Sequence, residues 1–84
     1  MSDDEVEELA KKLEQDLLKM YRSPVLKGPE LQKALGYSSI YALRQAVVRK
    51  TLPIKTFTVA NRRGTHALVK DIARWLAEKA REED

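Results

Sequence analysis

The 84-residue chain contains no cysteine, one histidine, one tryptophan, one phenylalanine, and three residues each of glycine and proline. Without cysteine there is no disulfide to staple a small domain and no thiolate to bind a metal or attack a substrate. With a single histidine, no second imidazole can share a metal site. Eighty-four residues make one domain, residues 1–84, near the lower size limit for unaided folding, so its stability must come from one small apolar core. No apolar run approaches the roughly 20 residues of a membrane span. The opening Met1-Ser2-Asp3-Asp4-Glu5 is acidic where a secretory signal is basic and then apolar. These absences lead us to expect a cytoplasmic protein with no membrane partner and no cofactor.

A further scarcity is local. Residues 22–70 hold ten basic side chains (Arg22, Lys27, Lys33, Arg44, Arg49, Lys50, Lys55, Arg62, Arg63 and Lys70) against one acid, Glu30. The flanks are acidic, with seven acids against three lysines in residues 1–21 and five acids against three bases in residues 71–84. The modest net charge of +3 therefore hides a strongly basic middle, the usual electrostatic footprint of polyanion binding. A solvated, lysine-rich surface is the plainer alternative.

Residues 3–21 are amphipathic. Val6, Leu9, Ala10, Leu13, Leu17, Met20 and Tyr21 recur at three- and four-residue steps on one helical stripe, with Leu18 off it. Ser2 or Asp3 can cap the helix, and Pro24 ends it. Val25-Leu26-Lys27-Gly28 reads as a connector. Pro29 then opens a short helix to Leu35, which Gly36 closes. Ser38 or Ser39 caps a third helix to about Lys50, so the unit is helix, short turn, helix. Leu52-Pro53-Ile54 forces an extended exit. Lys55 to Ala60 alternates like a strand, Asn61-Arg62-Arg63-Gly64 is a turn, and Thr65 to Val69 is a second strand. Asp71 caps a last helix with Ile72, Ala73, Trp75, Leu76 and Ala80 facing inward.

At about 100° per residue, Ile40, Leu43 and Val47 share the inner side of the third helix, packing on Leu31, Leu35 and Trp75. Its outer side carries Tyr41, Gln45 and Arg49, with Arg44 and Val48 at the edges. Glutamine can pair bidentately with adenine, arginine with guanine, and an apolar group can meet a thymine methyl. Ser38 and Ser39, beside the free amides of the helix start, suit a phosphate oxygen. Arg62 and Arg63 at a hairpin tip suit a minor groove or backbone, with Asn61 and Thr65 adding polar contacts. The candidate DNA-binding residues are thus Ser38, Ser39, Tyr41, Arg44, Gln45, Arg49, Asn61, Arg62, Arg63 and Thr65. Exposed helix formers and an ordinary exposed turn would account for the same residues without a ligand. No enzyme is expected, since the acids cluster in the terminal helices. His66 reads as a surface residue or a phosphate neighbour.

Leu31-x-x-Ala34-Leu35-Gly36-Tyr37-Ser38-Ser39-Ile40-Tyr41, then Leu52-Pro53-Ile54, then Arg62-Arg63-Gly64, then Asp71-Ile72-x-x-Trp75-Leu76 follow one another along the chain. In this order, over about residues 25–78, they resemble the excisionase and AlpA-type prophage regulators, which belong with the MerR-like winged helix-turn-helix domains. The resemblance implies a mainly α fold with a small β-hairpin, a recognition helix at Ser38 to Lys50 and a wing at Asn61 to Gly64. It implies sequence-specific binding of double-stranded DNA, by a phage- or mobile-element-type transcriptional regulator or an excisionase-like architectural factor; whether a recombinase is a partner stays open in the sequence. Two features depart from the family. Arg49-Lys50-Thr51 stands where a glycine commonly precedes the Leu-Pro exit, and the N-terminal amphipathic helix is an addition.

Val6, Leu13 and Met20 lie at seven-residue spacing, close to a coiled-coil seam. We therefore expect a homodimer through residues 3–21 that places two recognition helices on adjacent half-sites. The rival is that this stripe packs on its own domain. Two other functions remain open: a protein-interaction adaptor working through the same helix, and RNA binding by the basic face.

Overall fold

The computed structural model describes residues 2–82. Ser2 starts the first helix, α1 (Asp3–Tyr21), by a reciprocal cap: its hydroxyl accepts from the Glu5 amide at 3.3 Å, and its own amide donates to the Glu5 carboxylate at 3.4 Å. Asp3, Asp4 and Glu5 add negative charge at the positive end of the helix dipole. The helix ends where the sequence places its end, on Arg22 in left-handed geometry before Pro24.

The next segment differs from expectation. Val25-Leu26-Lys27 is a strand, β1 (Val25–Lys27), and not a connector. Ser23 sets it up, its hydroxyl bonding both the amide and the carbonyl of Val25. The strand runs into α2 (Gly28–Leu35), after which come α3 (Ile40–Val48), β2 (Phe57–Val59), β3 (Arg62–Leu68) and α4 (Val69–Glu82). The architecture is mainly α, with four helices and one three-stranded antiparallel sheet in the order β1-β3-β2 among the described residues. β3 is the central strand, pairing Leu26 with Ala67 on one side and Phe57 with His66 on the other.

Three boundaries move. The strands are Phe57–Val59 and Arg62–Leu68 instead of Lys55–Ala60 and Thr65–Val69. The turn between them is Ala60-Asn61, with Asn61 at φ 63°, so Arg62 and Arg63 lie on β3 just past the tip. The last helix begins at Val69, straight off β3, so Asp71 sits inside the first turn and is not the cap. No loop is needed there, because the Val69 amide donates to the Pro24 carbonyl at 2.8 Å.

Leu26, Leu31, Ile72 and Val69 are the largest fully buried side chains, and the core centres on them with Leu17, Leu35, Leu43, Ala67 and Ala73 around them. Leu26, from the presumed connector, is wholly enclosed. A second cluster joins Val6 and Ala10 of α1 to Ala77 of α4, a position missing from the expected inner face of that helix. Trp75 is only half-buried, at the rim of the core beside Pro53, Ile54 and Lys55, and not a central residue under Leu35, Leu43 and Val47.

This packing is the rival foreseen for the α1 stripe, that it packs on its own domain. Its stripe lies on α4 and on the core of its own chain: Val6, Ala10 and Leu17 are buried, while Leu9, Leu13, Leu18 and Tyr21 pack at the edges. Leu18, off the stripe, is partly buried against the core, beside Pro24, Leu68 and Val69. The apolar surface that a homodimer through residues 3–21 would use is spent within the chain, and only Met20 of that stripe is left exposed, at 70%. Among the described residues no helix is long and apolar enough to cross a membrane.

Candidate nucleic-acid interface

The turn between α2 and α3 is fixed by three hydrogen bonds around Gly36, whose φ of 81° suits glycine. Gly36 donates its amide to Lys33 at 3.1 Å and Tyr37 donates to Gln32 at 3.0 Å, the double bond of a Schellman end. The Gln32 side-chain amide then donates back to the Tyr37 carbonyl at 2.9 Å. Between the two expected caps, Ser39 is the one used: its hydroxyl accepts from the Ala42 amide at 3.0 Å. Ser38 and Ser39 are both exposed at the start of the helix.

The far end of α3 repeats the same device without glycine. Lys50 donates to Val47 at 3.2 Å and Thr51 donates to Ala46 at 2.9 Å, with Lys50 at φ 57°. Ahead of the Leu-Pro exit, Lys50 thus holds the conformation a glycine would adopt. The helix stops at Val48, two residues short of the expected end.

Leu43 and Ala46 are the buried positions of α3, with Ile40 and Val47 half-buried beside them. Its outer ridge is consequently rotated from the expected one. Tyr41 and Val48 are exposed at 68% and 75%, and Arg44 is exposed next to them. Gln45 is half-buried, and Arg49 lies past the last turn, its amide bonded to the Gln45 carbonyl. Of the residues foreseen at the centre of the face, Tyr41 is exposed on it, Gln45 is half-buried at its margin and Arg49 is exposed just past its last turn, while Val48, foreseen at the edge, shares the ridge with Tyr41.

The hairpin carries the other candidates. Between the pairs Val59–Arg62 and Phe57–His66, one residue of β2 opposes three of β3, so Arg63, Gly64 and Thr65 form an irregularity in which Gly64 takes φ 95°. Asn61, Arg62 and Arg63 are exposed, and Thr65 is half-buried. An open groove of about 340 Å³ separates α3 from β3, lined by Ile40, Leu43, Arg44, Val47 and Val48 on one side and by Gly28, Gly64 and Thr65 on the other. It brings Arg44 and Thr65 to a common site. Ser38 and Ser39 lie at one end of α3, Arg49 at the other, and Asn61, Arg62 and Arg63 along the hairpin beyond Gly64.

Charge is sorted between the two sides of the molecule. Among the described residues, the side-chain ion pairs link α1 to α4 or lie within α4: Arg81–Asp3 at 2.8 Å, Arg74–Glu7 at 3.8 Å, Arg74–Glu78 at 3.5 Å and Lys79–Glu82 at 3.1 Å. These exposed pairs contribute little to stability but neutralise the cations of that side. No cation of residues 22–70 takes part in any of them. Among the described residues, the positive charge of the middle segment therefore has no acid in ion-pair contact.

His66 is not on the surface. It is 4% exposed, stacks on Phe57 with ring centroids 5.9 Å apart and planes 24° from parallel, and both ring nitrogens lack a hydrogen-bond partner. The strand that sequence reading missed, β1, explains this burial: it makes β3 the central strand and pairs Lys27 with His66. Comparison of the chain with protein-family models, with curated proteins and with solved structures found no match in any of the three.

Proposed function

We propose that the chain is a winged helix-turn-helix module that binds double-stranded DNA sequence-specifically, as a regulator of the phage or mobile-element type or as an excisionase-like architectural factor. In this reading α3 enters the major groove and the β2–β3 hairpin is the wing that follows the adjacent backbone or minor groove. The carrying observation is the charge sorting: among the described residues every side-chain ion pair lies on the α1–α4 side, and none involves the ten cations of residues 22–70. Polyanion binding uses such a surface directly, because each neutralised phosphate releases condensed counterions. The helix-turn-helix geometry, with Ser39 capping α3 and Gly36 setting the turn, supports α3 as the inserted element. The order of motifs from Leu31 to Leu76 that resembles the excisionase and AlpA-type regulators supports the same reading. The adaptor alternative relied on the stripe of α1, which this chain buries in itself.

The test is enrichment of bound fragments from a random duplex pool, followed by titration of an enriched duplex at several salt concentrations. The expected result is a sequence preference together with a steep salt dependence. Arg62→Ala with Arg63→Ala should reduce the log–log salt slope by about 1.8, two phosphates' worth. Absence of duplex binding at low salt would overturn the proposal.

A further inference from the structure

Three of the four large apolar side chains left exposed among the described residues, Tyr41, Val48 and Val59, lie on α3 or the hairpin, and only Met20 lies elsewhere. Two of these occupy one ridge of α3. Tyr41 and Val48 are seven residues apart, so they point within about 20° of each other, with Arg44 about 60° away between them. Neither serves the core, which α3 meets through Leu43 and Ala46. At a rise of about 1.5 Å per residue the two are about 10 Å apart along the helix, roughly three base-pair steps of duplex DNA. The ridge thus reads apolar, cationic, apolar, one helical turn at a time, and Arg44 is in no ion pair among the described residues.

In the major groove of DNA the one exposed apolar group is the 5-methyl of thymine, and an arginine is best satisfied by O6 and N7 of guanine. A polar base edge would leave Val48 buried without gain, and a phosphate has nothing for it at all. We propose that Tyr41 and Val48 read thymine methyl groups on either side of a base pair contacted by Arg44, so that the preferred site has thymines about three steps apart with a guanine between them. This inference rests on the DNA-binding reading above and names what that surface selects. Val48 is thereby a specificity-determining residue, and Gln45 and Arg49, at the margin of the ridge, are not the main readers.

Uracil differs from thymine only by the missing methyl, so it isolates this contact. A duplex enriched from a random pool is resynthesised with uracil in place of each thymine in turn, then of all thymines, and titrated with the full chain at fixed salt. Uracil at a contacted position should weaken binding about fourfold, which follows from roughly 0.8 kcal/mol per buried carbon and 1.36 kcal/mol per tenfold change. With Val48→Ala the penalty at one thymine should vanish, and with Tyr41→Ala the penalty at another, about three steps away. Both side chains are exposed, and thermal unfolding of each variant checks that the fold is kept; the measurement on the parent chain needs no variant. An all-uracil duplex bound as tightly as the thymine duplex overturns the inference while leaving sequence-specific DNA binding intact. A uracil penalty that persists unchanged in both variants also overturns it, because other residues would then meet the methyls. If no duplex is enriched, the DNA-binding reading itself fails and takes this inference with it.

Discussion

Leu26→Ala tests the element that makes this sheet three-stranded. Leu26 is fully enclosed, on a three-residue strand whose backbone is bonded to β3 through the Leu26–Ala67 register, with α2 following directly and Ile72 of α4 in the same cluster. Truncation removes three carbons, about 2.4 kcal/mol of transfer free energy at roughly 0.8 kcal/mol each. A cavity term adds to this, because two hydrogen-bonded strands and two helices cannot close over the space, bringing the cost to about 3–5 kcal/mol. At about 0.05–0.15 kcal/mol per residue, a chain of 84 residues holds roughly 4–13 kcal/mol in total, so this one change removes a large share of it. The melting temperature should fall by about 15–30 °C. Urea unfolding followed by far-ultraviolet circular dichroism and by Trp75 fluorescence should show one shared transition, with a lower midpoint and an unchanged slope. Lys27→Ala, the exposed neighbour, should stay within about 0.5 kcal/mol of the parent. A loss below about 1 kcal/mol for Leu26→Ala, the value suited to a surface connector, would refute the assignment of Leu26 to the centre of the core.

Leu17→Ala should cost about 2–4 kcal/mol, with a melting temperature independent of protein concentration, because Leu17 packs within its own chain. Sedimentation equilibrium of the intact protein should give a monomer at roughly 100 μM, far above the range in which a stable dimer would dissociate; a dimer would mean that a surface other than the buried α1 stripe joins two copies. Trp75→Ala should cost about 1–3 kcal/mol, less than the 3–5 of a fully buried aromatic, and acrylamide should quench the native tryptophan partially, since Trp75 is half-buried; complete protection would contradict that placement. His66→Leu should leave stability unchanged or raise it by about 1–2 kcal/mol, because it removes two unpartnered ring nitrogens from the interior while keeping an apolar neighbour for Phe57; a loss of more than 1 kcal/mol in urea titration would show that the imidazole is satisfied in a way its burial conceals.

The helices were readable because their signals are local. The three- and four-residue spacing in residues 3–21, a cap at Ser2 or Asp3, Pro29 at the start of α2, Gly36 at its end and a cap at Ser38 or Ser39 before α3 each act within a turn or two of the chain, and the structure uses Ser2 and Ser39 of the paired choices. The separation of charge along the sequence was equally plain, since counting requires no structure. What the residues could not settle alone depends on contacts between distant segments. Val25-Leu26-Lys27 is too short to show a strand period, and it is a strand only because Leu68, Ala67 and His66 offer it an edge. That pairing in turn buries His66, whose neighbours in sequence resemble those of any hairpin. The irregularity at Gly64, which moves Arg62 and Arg63 off the turn, follows from the register between β2 and β3. The stripe of α1 specifies that an apolar surface will be covered; whether α4 or a second molecule covers it is decided by which surface lies nearest once the chain has folded. A helical period likewise shows that α3 has two faces, but its rotation is set by how Leu43 and Ala46 seat in the core, and this tertiary choice places Val48, not Gln45, at the crest.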